Sequence, residues 1–268
     1  MNKDNNIIDK ILELKENKKI NAIFQYCERL NQARVHDENL PYEYILVYDN
    51  LDDFDEGVIE NFSDYILVYK DEYIYKLILS NYIKLVFDIR EDFDYDKEYE
   101  KNSLLKLIYD RDNHYKNMRV PTDISSRLIK PSEEEFYNLT IDFFSIIYDV
   151  GQSMVNDKLL SSQIIFEKAR RKFIKMSEYY IGSEYDFMIN LGENGANIIA
   201  YLDSDIYNKM IKLVSSDNYE RMWTTIFETC SLFRKFGLNV GNKLEYTYPK
   251  KTDVEIMKFL RRAWNEKN

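Results

Sequence analysis

The 268-residue chain predicts an α+β first half followed by an all-α second half. Three observations carry that division. Strand-like stretches rich in β-branched and aromatic residues crowd residues 20–89. Helical periodicity runs from Ser132 nearly to the end. Between them, "NMRVPTDISSRLIKPS" (117–132) holds two of the four prolines and shows no clear period, as a domain connection does. The expected domains are therefore 1–130 and 131–268.

The elements follow in order. Residues 6–18 place Ile7, Ile8, Ile11, Leu12 and Leu14 at helical spacing, which predicts an amphipathic first helix. "INAIFQY" (20–26), "YEYILVY" (42–48), "YILVYK" (65–70), "YIYKLILS" (73–80) and "YIKLVFDI" (82–89) read as strands between polar turns. In the second of these, Tyr42, Tyr44, Leu46 and Tyr48 share one face; Glu43, Ile45 and Val47 share the other. The charge run "DFDYDKEYEK" (92–101) reads as a solvated loop or helix start. A helix over "NSLLKLIYDRD" is expected next. Ser132 and Glu135 then fit an N-terminal capping box. Helices are predicted over 132–150, 157–181, 186–201, 204–214, 217–238 and 252–266, with Gly182, Gly192, Gly195, Gly237 and Gly241 as punctuation.

Composition narrows the function. Net charge is -10, which argues against a broad nucleic-acid surface. It suits a cationic small ligand, although plain solubility explains it as well. No apolar run reaches about 18 residues, so no membrane span is expected. The polar N-terminus lacks the apolar core of a secretory signal. Cys27 and Cys230 predict free thiols in a reducing, cytoplasmic setting. His36 and His114 are too isolated for a zinc site or a His-based triad. There is no Walker loop and no G-x-G-x-x-G.

A resemblance goes further. "LLKLIYDRDNHYKNMRVPTD" (104–123), "KPSEEEFYNLTIDFF" (130–144), "NYERMWTTIFETCSLFRKF" (218–236) and "LEYTYPK" (244–250) resemble the aminoglycoside 6-adenylyltransferases, the streptomycin adenylyltransferase family, in order and spacing. The resemblance covers nearly the whole chain. It implies an N-terminal nucleotidyltransferase fold, a mixed sheet with flanking helices, then a helical domain, with substrate between the two. It implies transfer of AMP from ATP to an aminoglycoside hydroxyl. Such chemistry needs a Gly-Ser turn that lets phosphate reach backbone amides, and carboxylates that hold Mg²⁺.

Position by position, the resemblance maps the family's Gly-Ser-Arg turn onto Cys27, Glu28 and Arg29. Only the arginine is kept. Glu28 puts negative charge where phosphate should sit. The Asp-x-Asp pair maps onto Pro41, Tyr42 and Glu43, and the third Asp onto Val86. Asp88, two residues on and on the same strand face, is the candidate replacement. A Gly-Lys-Asn turn maps onto Gly192, Glu193 and Asn194, so a phosphate-facing lysine has become acidic. These departures weigh against the family's standard catalysis.

Three functions stay open on these residues. An active adenylyltransferase would use ATP and Mg²⁺, with Glu43 and Asp88 as catalytic metal ligands and Glu28, Arg29, Gly192 and Asn194 around the nucleotide. An inactive homologue would bind a small cationic molecule, aminoglycoside-like, or a protein partner, and need no cofactor. A changed enzyme would use another donor or acceptor. Asp142 is placed either facing a cationic substrate or on the surface. Trp223 and Trp264 are read as core residues on apolar helix faces. The basic stretch "EKARRKFIK" (167–175) is read as a solvated face.

Overall fold

The computed structural model describes residues 3–31, 40–60, 62, 64–192 and 195–267. The chain divides into two compact units, Met1–Ser126 and Arg127–Asn268.

The first unit is built on a six-stranded sheet. Its strands are β1 (Ile20–Tyr26), β2 (Tyr42–Tyr48), β3 (Tyr65–Asp71), β4 (Ile74–Leu79), β5 (Lys84–Arg90) and β6 (Leu105–Asp110), in the order β3-β4-β5-β2-β1-β6. β2 and β5 run parallel and the other neighbours antiparallel, so the sheet is mixed. Alternation sends Tyr44, Leu46 and Tyr48 to one face with Leu85, Phe87 and Ile89. Ile7 and Ile11 of α1 (Lys3–Glu13) and Val58 and Ile59 of α2 (Gly57–Glu60) cover that face. The opposite face packs Ala22, Phe24, Ile45, Val47 and Leu105 under Tyr95 of α3 (Tyr95–Lys101), with Phe93 and Tyr115 beside it.

Two expectations for this unit change. Residues 105–110 form β6, not a helix, and pair antiparallel with β1. "LLKLIY" satisfies both periods, and an open strand edge decides between them. Asn102 closes α3, and its side chain accepts from the Leu104 amide at 3.0 Å, which sets the turn into the strand. The charge run before it is indeed a helix start. Asp94 caps α3 by accepting from the Lys97 amide at 3.2 Å.

The second unit is helical: α4 (Glu133–Val155), α5 (Leu159–Glu184), α6 (Ser204–Met210), α7 (Tyr219–Leu244) and α8 (Lys250–Lys267). Both halves of the Ser132–Glu135 capping box form. Aromatic rings dominate the core; Phe143 and Phe233 stack with centroids 3.7 Å apart. Arg234 of α7 donates twice to the buried Asp253 of α8, at 2.6 and 2.5 Å, and the Tyr248 hydroxyl donates to the same carboxylate at 3.1 Å.

The helix expected over 186–201 is absent. Asp186, Phe187, Gly192 and Gly195 all take positive φ, which an α-helix does not allow. Among the described residues, a short 3-10 turn, Ile198–Ala200, forms there instead. Gly237 does not punctuate but sits inside α7. A Cβ there would lie 2.6 Å from the Tyr248 ring, so the glycine admits the ring against the helix backbone. Among the described residues, no helix is long and apolar enough to cross a membrane.

Candidate functional site

Parallel pairing fixes the geometry of the sheet's charged face. Glu43 lies opposite Val86, Ile45 opposite Asp88 and Val47 opposite Arg90. Partners in register point to the same side of a sheet, so Glu43, Asp88 and Arg90 share one face. Tyr26, at the end of β1, joins them. Burial pushes its hydroxyl pKa well up, and the carboxylates of Glu43 and Asp88 push the same way while Arg90 opposes them. Each of these charges therefore lies within electrostatic reach of one hydroxyl.

Asp88 is engaged. Arg90 donates to its Oδ2 from Nε at 2.9 Å and from Nη2 at 2.6 Å. The same guanidinium reaches Glu98 of α3 at 2.8 Å, and Lys101 holds Glu98 from the other side at 2.8 Å. Burial pushes the Glu98 carboxyl up, but the bonds from Lys101 and Arg90 outweigh it and hold its pKa below the usual value. The Asp88 side chain is only 13% exposed, so this pair is poorly screened. The bonds to Asp88 in turn raise the Arg90 pKa, keeping the guanidinium charged.

The turn before β2 is equally committed. Cys27 leads into a three-residue 3-10 turn, Glu28–Leu30, with no side-chain cap. The Leu30 and Asn31 amides already donate to the Cys27 and Glu28 carbonyls, each at 3.0 Å. Asn31 also donates from Nδ2 to Glu28 Oε2 at 3.2 Å. Arg29 donates to the Leu40 carbonyl at 2.8 Å and lies over the Tyr42 ring, 3.9 Å from its centroid. Burial raises the Cys27 thiol pKa, against the pull of the Arg29 and Glu43 backbone amides beside the sulfur. Both cysteines are buried free thiols.

The remaining candidates lie in the helical unit. Gly192 takes φ +72°, and its amide donates to the Asn190 side chain at 2.7 Å. Glu193 and Asn194 fall outside the described residues, as does His36 in the first unit. Asp142 sits mid-helix on α4, paired with Lys172 of α5 at 2.7 Å. Trp223 is buried as expected, but Trp264 is not: its indole is 40% exposed near the end of α8.

Arg90, Glu98 and Tyr26 were missed by the sequence reading. Arg90 had a signal, because it follows Asp88 by two and must share its strand face. Glu98 lay in the charge run read as solvated, and only the fold of α3 over the sheet brings it in.

The profile of the streptomycin adenylyltransferase family matches residues 1–263. The chain belongs to this family. An aminoglycoside 6-adenylyltransferase of Campylobacter jejuni is 21% identical over 264 residues, covering 93% of this chain and 92% of that protein. One from Staphylococcus aureus is 23% identical over 260 residues, covering 91% and 92%. The crystal structure of an aminoglycoside 6-adenyltransferase from Bacillus subtilis superposes with a TM-score of 0.51 at 18% identity, covering 98% of this chain and 99% of that one. It bears out the expected fold, a nucleotidyltransferase sheet followed by helices.

The described residues do not fit the divalent ion that nucleotidyl transfer generally uses. Such an ion needs several hard oxygen ligands in near-octahedral array. Among the described residues, no three His, Cys, Asp or Glu side chains are grouped to hold a metal. Asp88, the candidate replacement for the family's third carboxylate, faces the Arg90 guanidinium.

Proposed function

We propose that this family member has lost metal-dependent AMP transfer and keeps the fold as a binding protein for a small cationic molecule. One observation carries the reading: Asp88, the candidate replacement for the family's third metal-binding carboxylate, is held by two bonds from Arg90, which Glu98 holds in turn. A dication entering there must displace or sit beside a fixed positive charge. At about 4 Å and an effective dielectric of about 20, that repulsion is about 8 kcal/mol. Net charge of -10 and kinship with proteins named for aminoglycosides support a cation as the ligand. The test is pyrophosphate release from ATP with Mg²⁺ and streptomycin. The reading expects none above the protein-free rate.

A second reading is favoured by the shared face of Glu43 and Asp88 beside Tyr26. In it, Arg90 swings away and the two carboxylates take the metal. Pyrophosphate release that Glu43→Gln abolishes would establish that reading and remove the first.

A further inference from the structure

The helical unit holds a groove of about 570 Å³ between α7 and α8. Its apolar floor is made by Trp223 and Phe227 of α7 with Met257 and Trp264 of α8. Trp223 stacks on Phe227 with centroids 6.0 Å apart, and Phe227 meets Trp264 nearly perpendicularly, also at 6.0 Å. Trp264 lines the groove and is 40% exposed.

Charge decides what such a floor suits. Glu220 and Glu228 stand on the same α7 stripe as Trp223 and Phe227, at helical spacings of three, four, seven and eight. Both carboxylates are exposed, about 12 Å apart along the axis at 1.5 Å per residue. Further along α7, Arg234 is neutralised by its twin bonds to Asp253 of α8. Arg261 is the remaining cation, against two carboxylates. Tryptophan is the best aromatic partner for a cation, and flanking carboxylates add to that attraction.

We propose that the α7–α8 groove binds an organic cation, with its apolar body on Trp264, Phe227 and Met257 and its ammonium or guanidinium between the indole and the Glu220 and Glu228 carboxylates. This gives the cation of the proposed function a place, and the two readings fail separately: pyrophosphate release tests the loss of transfer, and binding at this groove tests the site.

The chain's two tryptophans both line the groove, so intrinsic fluorescence reports on it directly. The test titrates the full chain with benzyltrimethylammonium, benzyl alcohol and benzenesulfonate. A saturable change with the ammonium probe is expected, with the neutral and anionic probes far weaker. The Glu220→Gln, Glu228→Gln double variant should bind the ammonium at least about fivefold more weakly. Trp264→Leu, followed by calorimetry, should abolish binding. Equal response to benzyl alcohol, preference for benzenesulfonate, or an unchanged affinity in the double variant would overturn the proposal. So would capture of an amphipathic helical peptide with no response to the ammonium.

Discussion

Replacing Arg90 by alanine removes the one cation that joins Asp88 to Glu98. The wild-type guanidinium makes two bonds to Asp88 and one to Glu98, all between 2.6 and 2.9 Å. Hydrogen bonds to charged groups are worth about 1.5–3 kcal/mol each when well shielded. Arg90 is partly exposed and the two bonds to Asp88 share one oxygen, so the set does not sum. A loss of about 2–3 kcal/mol at pH 7 is the expected cost. The pH dependence is the sharper test. Glu98 has a folded pKa below its usual value. A carboxylate of that kind contributes stability above its unfolded pKa, near 4.3, and loses it as pH falls through the lower folded value. The gap between wild type and Arg90→Ala should therefore be full at pH 7 and close progressively below about pH 4. Urea unfolding of both proteins from pH 7 to pH 3 measures it. A gap under about 0.5 kcal/mol at pH 7, or one that does not change with pH, would refute Arg90 as the counter-ion of this face.

Three further perturbations test the account elsewhere. Asp253→Ala leaves the Arg234 guanidinium facing a buried void; it should cost about 3 kcal/mol and lower the melting temperature by roughly 6–12 °C in a calorimetric scan. Gly237→Ala forces a methyl against the Tyr248 ring, which stands 2.6 Å from that position, and should cost about 1–3 kcal/mol in urea unfolding. Arg29→Ala removes the stack on Tyr42 and the bond to the Leu40 carbonyl; it should cost about 1–2 kcal/mol in stability while leaving any phosphate affinity unchanged in calorimetry.

Strands β1 to β5 were legible because alternation and β-branched or aromatic content agree over each of them. β6 was not, because six residues with apolar groups at neighbouring positions satisfy a helix and a strand alike, and the choice rests on the outer edge of β1 needing a partner. The segment 186–201 was misread because its apolar spacing looks helical. Its backbone is set instead by left-handed positions at Asp186, Phe187, Gly192 and Gly195. In the site, strand period put Asp88 on the face of Val86, but that Glu43 shares this face needed the parallel register of β2 and β5, which the fold supplies. The engagement of Asp88 was readable in part, since Arg90 shares its face by the same period. The role of Glu98 was not, since it depends on where α3 lies over the sheet. Trp264 shows a similar limit: an apolar helix stripe predicts one buried face but not where along the helix its cover ends.

The proposed loss of AMP transfer puts the Arg90 guanidinium in the metal's place beside Asp88. Calorimetric titration with ATP, in Mg²⁺ and in its absence, tests it most directly. No Mg²⁺-dependent binding is expected up to millimolar ATP. Saturable ATP binding that requires Mg²⁺ and disappears in Glu43→Gln would contradict it.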